Sequence, residues 1–134
     1  MIEIKDETEK VILVGVALSD QDDTKESLEE LKDLVSTAGA ETAGMLIQNR
    51  EQQHPATYVG KGKIEELKNM IWELRATGIV CDDELSPAQM KNLQDELDVK
   101  VMDRTRIILD IFAARASTSE GKIQVELAQL RYRS

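Results

Sequence analysis

A short segment, Gly60-Lys61-Gly62-Lys63, combines two glycines with two lysines immediately before a stretch of helical periodicity. Glycines let backbone amides approach an anion, a helix N-terminus adds partial positive charge, and each lysine adds a full charge. This chemistry suits a phosphate group. However, Ile64 occupies the hydroxyl position of a P-loop, and Glu65 occupies the third glycine position of a dinucleotide fingerprint. A tight turn with solvated lysines is therefore favoured over a specific nucleotide site, and a looser contact to an RNA phosphate stays open.

Basic residues concentrate towards the C-terminal end of an otherwise acidic chain. Residues 104–134 carry six basic and three acidic side chains, whereas the whole chain has a net charge of −9. An acidic body repels nucleic acid, but a local basic end can dock on RNA, so we expect two faces with different partners. Uneven sampling of charge by a short segment is the equally weighted alternative. The candidate RNA or phosphate contacts are Lys61, Lys63, Arg104, Arg106, Arg115, Lys122, Arg131 and Arg133, with Gly60 and Gly62 forming the glycine-rich loop.

Three carboxylates, Asp82 to Glu84, follow a predicted strand, where ligands of α/β proteins usually bind. They could hold Mg²⁺, but such a cluster is more often a solvated strand end. His54 is the only histidine, and Cys81 ends an apolar run that predicts a buried side chain. We therefore predict neither a metal site nor a catalytic residue. Trp72 and Phe112 are expected to lie in the core or between packed helices.

The length of 134 residues suits one domain with a single core, without the help of disulfides. One cysteine excludes an internal disulfide and fits a reducing compartment. The charged N-terminus lacks the apolar core of a signal peptide, and no apolar run approaches the length of a membrane span. We therefore expect a soluble, cytoplasmic protein without a membrane partner.

Strand-like and helix-like patterns alternate along the chain. Ser86-Pro87-Ala88-Gln89 has the composition of a capping box with proline at the first helical position, and Asp23 with Glu26 is expected to cap an earlier helix. Strands are predicted at 11–18, 43–48, 79–81 and 99–102, with helices ending at Gly39 and Gly78, following Ser86, and spanning 107–116. This alternation predicts an α/β fold, namely a four-stranded, mainly parallel sheet with helices on both faces.

A fifth helix is predicted after Ser117, with Glu120 completing a cap. Ile123, Leu127 and Leu130 share one face of this helix, and no helix-ending residue follows. We expect residues 1–116 to form an α/β N-terminal domain and residues 117–134 to begin a helical linker that is truncated here. An exposed apolar stripe on a cut helix could also pair with a copy of itself, so such a dimer could be an artefact.

Four segments together resemble the N-terminal domain of the HflX family of ribosome-associated GTPases. They are ATYVGKGKIEEL at 56–67, DDELSPAQMKNLQ at 82–94, VMDRTRIILDIFAARA at 101–116 and SEGKIQVELAQLRY at 119–132. The resemblance implies an α/β domain followed by long helices and then a P-loop GTPase domain. It also implies that GTP and Mg²⁺ bind in the parent protein, that this piece holds no cofactor, and that it is not itself an enzyme.

The resemblance further implies association with the large ribosomal subunit, in splitting, rescue or biogenesis of ribosomes under stress. Our first hypothesis is an accessory domain that contacts rRNA. A second is a domain that packs on its own GTPase domain and tunes it. The alternative from a different class is a small nucleotide (ATP)-binding α/β domain that uses the Gly60–Lys63 loop.

Overall fold

The computed structural model describes residues 8–18 and 23–119, with side chains described to residue 116. All four strands are parallel and lie in the order β2-β1-β3-β4. The elements are β1 Lys10–Ala17, α1 Thr24–Thr37, β2 Glu41–Asn49, α2 Lys61–Leu74, β3 Gly78–Cys81, α3 Pro87–Leu97, β4 Lys100–Asp103 and α4 Arg104–Ser119. The predicted α/β fold with a four-stranded parallel sheet is confirmed.

The apolar run of β1 builds two cores, one on each face of the sheet. Ile12 and Val14 point into a core shared with α2 and α3, whereas Leu13 points into a core shared with α1 and α4. All three side chains are fully buried. Successive strand residues point to opposite faces, so a continuous β-branched run is what a strand covered on both sides requires.

The chain changes direction between β1 and β3. It leaves β1 for β2 through α1 on one face, and it returns to β3 through α2 on the other face. Neighbouring strands whose connections diverge in this way leave a crevice at their carboxyl ends, which is the usual ligand position in open α/β sheets. The segment that follows β3 lies at this end of the sheet.

Most of the predicted helix ends agree with the structure, and two do not. Gly39, at φ 96°, follows α1 as predicted, and Ser86 forms the predicted capping box with Gln89. Asp23 is the N-cap of α1 but makes no side-chain capping bond, so the predicted cap there is wrong. Gly78 does not end α2, which stops at Leu74 with Arg75 in the left-handed conformation. Gly78 instead begins β3.

The role of Gly78 is steric. A Cβ at this position would lie 2.7 Å from the carbonyl oxygen of Lys100 on the neighbouring strand. Real Cβ atoms do not approach a backbone atom so closely, so glycine permits the close pairing of β3 with β4.

α4 begins at Arg104 and runs without a break through Ser117 to Ser119. The prediction that Ser117 starts a separate helix is therefore wrong, because its backbone already continues α4. The remaining predictions for this end, namely the apolar stripe of the fifth helix and the linker assignment, lie outside the described residues. No helix within the described residues is long and apolar enough to cross a membrane.

Trp72 and Phe112 are not core residues, contrary to prediction. Their side chains are 84% and 61% exposed. The buried face of α2 is set by Ile64 and Leu67, with Ile71 partly buried on the same side. Trp72 follows Ile71 by one residue, which is a rotation of about 100° around a helix, so its indole leaves the core.

Candidate functional site

The loop before α2 is a compact turn built around His54. The backbone of His54 pairs with that of Tyr58 through two hydrogen bonds of 3.1 and 2.9 Å. The amides of Ala56 and Thr57 donate to His54 Nδ1 at 3.1 and 3.3 Å. Because Nδ1 accepts both bonds, the proton of the neutral ring lies on Nε2. His54 therefore shapes the loop, which argues against its use as a nucleophile's base.

Tyr58 anchors this loop beneath the end of β3. Its side chain is fully buried, and its hydroxyl donates to Asp83 Oδ2 at 2.5 Å. Burial, followed by the hydrogen bond to Asp83, raises the pKa of Tyr58 well above its ordinary value. The phenol consequently stays neutral. Its φ of 69° is rare for a residue with a side chain, which shows how strongly the surroundings fix this position.

Two amide side chains of α3 hold the same loop from the other side. Gln89 Nε2 donates to the carbonyl oxygen of His54 at 2.9 Å. Asn92 Nδ2 donates to the carbonyl oxygen of Ala56 at 3.0 Å. Gln89 also completes the capping box with Ser86, so one side chain caps α3 and fastens the loop. The loop is thus rigidly placed before it reaches the glycines.

The glycine-rich loop opens α2, with Gly60 as its N-cap. The Gly60 amide donates to Gln48 Oε1 at 2.7 Å, and a Cβ on Gly60 would lie 2.7 Å from Arg50 Nη1. A side chain here would have to displace the flexible end of Arg50, so the steric demand for glycine at this position is modest. A Cβ on Gly62 would meet nothing within 4 Å, so this glycine has no steric role.

The two loop lysines differ in how they are engaged. Lys61 is exposed at the first position of α2, whereas Lys63 pairs with Glu66 at 3.0 Å. Together with Arg50 below Gly60, they give the start of α2 a positive local field, to which the helix N-terminus adds. This arrangement can hold a phosphate loosely, and nothing in it resembles the enclosed cradle of a nucleotide site.

The carboxylates after β3 are divided among separate partners. Asp82 Oδ1 accepts from Arg104 Nε at 3.2 Å, whereas Asp83 accepts from Tyr58. Glu84 is exposed. Among the described residues, no three His, Cys, Asp or Glu side chains are grouped in a way that could hold a metal ion. The acidic cluster of the sequence acts here as two anchors for other elements.

Arg104, the first residue of α4, joins α4 to α1 and to the segment that follows β3. Its Nη2 donates to the carbonyl oxygen of Ser27 at 3.0 Å and to Ser27 Oγ at 3.2 Å. It lies 3.5 Å from Glu30 and also pairs with Asp82. The planar guanidinium can serve several acceptors at once, so Arg104 fastens the start of α4 to α1 and β3.

Arg106 is also engaged within the domain. Its Nη1 lies 2.9 Å from Asp103 Oδ2, and its amide donates to Asp103 Oδ1 at 2.9 Å. Asp103 is fully buried and additionally accepts from the amide of Leu85 at 2.8 Å. This carboxylate is a complete junction between β4, α4 and the segment before α3. Sequence reasoning missed it because a single acidic residue at a strand end has no distinguishing pattern.

The remaining predicted cations are more dispersed. Arg115 is exposed near the end of α4, beside a groove that Thr37 and Asp110 also line. The other three, Lys122, Arg131 and Arg133, lie outside the described residues. The structure thus groups Lys61 and Lys63 at one site, and places Arg104 and Arg106 at a second site where both have internal partners.

A match to a known family decides what this arrangement belongs to. The family described as "GTP-binding GTPase N-terminal" matches residues 25–113. The chain belongs to this family. The segments just described, from the anchored loop to the start of α4, all lie within the matched range, and the resemblance inferred from the sequence is confirmed.

Relatives within this family are GTPases of greater length. The chain is 68% identical over 134 residues to GTPase HflX of Lacrimispora saccharolytica, covering all of this chain and 32% of that protein. It is 43% identical over 132 residues to GTPase HflX of Escherichia coli K12, covering 98% of this chain and 31% of that protein. The chain therefore spans about a third of the length of these relatives.

A solved structure shares the fold. It is the crystal structure of a GTP-binding protein from the hyperthermophilic archaeon Sulfolobus solfataricus in complex with GDP. The TM-score is 0.58 at 22% sequence identity, and the match covers 80% of this chain and 30% of that one. At this sequence identity the likeness shows a shared backbone fold alone.

Proposed function

We propose that this chain is the accessory N-terminal domain of an HflX-type GTPase that associates with the large ribosomal subunit. In this role it contacts rRNA and tunes the GTPase domain, and it performs no bond-breaking itself. The observation that supports the proposal most is the family match over residues 25–113, together with relatives that are GTPases about three times as long.

The chemistry of the described side chains supports a non-catalytic role. The candidate nucleophile Cys81 is fully buried, and burial raises its pKa well above the ordinary value. Asp82 and Asp83 are bonded to Arg104 and Tyr58, and the Gly60 amide is bonded to Gln48. These residues do not fit Mg²⁺–GTP, so we assign the binding of GTP and Mg²⁺ to the GTPase domain of the longer protein.

The proposed rRNA contacts begin with Lys61 and Lys63, which the rigid loop presents at the start of α2. Arg115, on α4 at the other face of the sheet, is proposed as a separate contact. Lys122, Arg131 and Arg133 complete the proposed set and lie outside the described residues. Arg104 and Arg106 would contribute by holding α4 in place, because their guanidinium groups already bind Asp82 and Asp103. Because the body of the chain is acidic, contact with RNA phosphate should be confined to these local cations.

The test is binding of the chain to purified large ribosomal subunits across a salt series. Lys61→Glu/Lys63→Glu should bind more weakly, and its logarithmic salt slope should fall by about one to two units, roughly one per lost phosphate contact. Lys25→Glu/Lys32→Glu makes the same charge change at exposed positions of α1 and serves as the matched control. Equal loss in both variants would show a general charge effect and would contradict the assignment.

The nucleotide-binding alternative makes a separate prediction. If the Gly60–Lys63 loop binds ATP or GTP, millimolar nucleotide should raise the Tm of the chain by mass action. The accessory-domain proposal expects no shift. A shift that disappears in Lys61→Glu/Lys63→Glu would favour the alternative.

A further inference from the structure

The single tryptophan of the chain lies on the surface near the end of α2. Its side chain is 84% exposed, so little of the indole ring is covered. A lone exposed apolar side chain is ordinary by itself. Trp72, however, lines an open cleft of about 660 Å³, together with Ile71, Glu73, Arg75 and Ala76. Ligand clefts have volumes of about 300–1,000 Å³, so a flat ring can enter beside the indole.

A second, smaller cleft adjoins the first, because Arg75 lines both. Its volume is about 360 Å³, and the residues that line it with Arg75 are Thr8, Lys10 and Thr77. The Thr77 hydroxyl and amide both bond to the carbonyl oxygen of Lys10, which places the segment after α2 beside the start of β1. The combined surface, here called the Trp72 cleft, therefore extends from the indole past Arg75 to Lys10.

The Trp72 cleft is positive, although the chain as a whole carries a net charge of −9. Two cations, Lys10 and Arg75, line it with one acid, Glu73, which leaves a net charge of +1. Cations such as Lys68 and Lys91 are paired with neighbouring carboxylates. Within the part of the chain that the structure describes, the side chains of Lys10 and Arg75 pair with no carboxylate. Both cations are thus available to an anionic ligand.

The backbone of Arg75 is unusual for an arginine. It follows α2 with φ 58° and ψ 41°, in the left-handed region. Glycine is the usual residue at such a helix end, because a Cβ is strained there. Asp98 ends α3 in the same conformation, which a short polar side chain tolerates better than a long one. The strained position favours a role for the guanidinium itself, beside Trp72.

We propose that the Trp72 cleft binds an unpaired segment of RNA, with one base stacked on the indole and the adjoining phosphates on Arg75 and Lys10. Every base has a flat π-face, and sites for single strands combine aromatic side chains with cations that hold the backbone. An arginine can bind a phosphate through two parallel hydrogen bonds. An apolar protein segment would leave both cations without a partner, which favours the nucleotide. The choice of RNA over DNA rests on the proposed function, whereas the stacking and phosphate contacts follow from the cleft.

The first test uses Trp72 as its own reporter, because it is the only tryptophan. A short oligoadenylate, added to the full chain at low salt and without ribosomes, should quench the tryptophan fluorescence as a base stacks on the indole. Inorganic tripolyphosphate carries the charge without a base and should leave the emission unchanged.

The second test compares variants by the fluorescence anisotropy of a labelled oligoadenylate. Trp72→Ala should raise the Kd by about 5- to 150-fold, which is the range for loss of one stacked base. Trp72→Phe keeps an aromatic face and should retain most of the affinity, whereas Trp72→Leu keeps only apolar character and should not. Phe112→Ala removes an exposed aromatic side chain from α4, serves as the matched control and should leave the Kd unchanged.

The cations are tested through Arg75→Gly and Lys10→Gln. Each should weaken binding and should lower the logarithmic salt slope by about 0.7 units, the value for one phosphate contact on a single strand. Arg75→Gly also relieves the strained backbone, so its Tm should be unchanged or higher. Weaker binding without a loss of stability would separate a ligand contact from a structural one.

Four results would overturn the proposal. They are an absence of quenching by oligoadenylate, equal quenching by tripolyphosphate, a Trp72→Leu variant that binds as tightly as the parent, and a shift of the tryptophan emission on deletion of residues 1–7. The first would leave the cleft to a protein partner, and the last would assign it to the chain's own N-terminal segment. Lys61 and Lys63 lie at the other end of α2 and are tested on ribosomal subunits, so failure here leaves the proposed function untouched.

Discussion

The hydrogen bond between the buried Tyr58 and the partly buried Asp83 offers the sharpest test of how the candidate loop is held. Tyr58→Phe removes one hydroxyl and leaves the ring in place. The lost bond has an ionised acceptor, and such bonds contribute about 1.5–3 kcal/mol. Asp83 is only partly buried and can rehydrate, so we expect the lower half, about 1.5–2 kcal/mol. For a domain of this size, Tm should fall by about 5–8 °C.

A double-mutant cycle isolates the pair. Urea unfolding of Tyr58→Phe, Asp83→Asn and the double variant gives the coupling energy directly, and we expect more than about 1 kcal/mol. Asp95→Asn, which breaks an exposed ion pair with Lys91, is the matched control and should cost less than about 0.5 kcal/mol. A coupling energy below about 0.5 kcal/mol between Tyr58 and Asp83 would refute the reasoning, since the two groups would then act independently.

The same burial predicts how stability responds to alkali. The pKa of Tyr58 is raised in the folded state, so between the ordinary tyrosine pKa of about 10 and the folded value, the unfolded chain releases a proton that the folded chain keeps. The stability that the neutral Tyr58 contributes should therefore be fully present below about pH 10. It should fall as the pH rises from there towards the raised pKa of the folded state. In Tyr132→Phe, which leaves Tyr58 as the one tyrosine, tyrosinate absorbance should rise only with unfolding. A rise in the folded protein would contradict the assignment.

Further predictions concern four other positions. Gly78→Ala should destabilise the chain by more than about 1 kcal/mol in urea unfolding because its Cβ meets Lys100, whereas Gly62→Ala should be neutral or stabilising by up to about 1 kcal/mol; the reverse order would contradict the steric argument. Ser86→Ala should cost about 0.5–2 kcal/mol through loss of the capping box. Cys81 should react with a thiol reagent only as fast as the chain unfolds, and rapid labelling of the native protein would refute its burial.

Much of the fold could be predicted because its signals are local. Apart from Gly15, every residue from Val11 to Val16 has an apolar side chain, so both faces of the strand are apolar. A strand that is covered on both sides requires this pattern. Ser86 and Pro87 likewise determine the start of α3 from adjacent residues. Strand order follows from packing at a distance and could not be derived from the sequence.

The candidate site was less predictable because its contacts join distant segments. Tyr58 and Asp83 are 25 residues apart, and Gln89 reaches back 35 residues to His54. Periodicity reports which face of a helix is apolar, but it cannot show that Trp72 turns away while Ile71 stays. A count of charges cannot show which cations already have partners within the domain. It therefore included Arg104 among the phosphate contacts, although in the fold its guanidinium donates to Asp82 and Ser27.

We propose that the domain serves a ribosome-associated GTPase and does not itself catalyse GTP hydrolysis. The most direct measurement uses a chimera in which this chain replaces the equivalent N-terminal region of GTPase HflX from Lacrimispora saccharolytica. The two regions are 68% identical. We predict that the chimera hydrolyses GTP and responds to large ribosomal subunits as that GTPase does, that removing residues 1–116 abolishes the response while leaving basal hydrolysis measurable, and that the isolated chain hydrolyses none. Turnover by the isolated chain, or an unchanged ribosomal response after the deletion, would contradict the account.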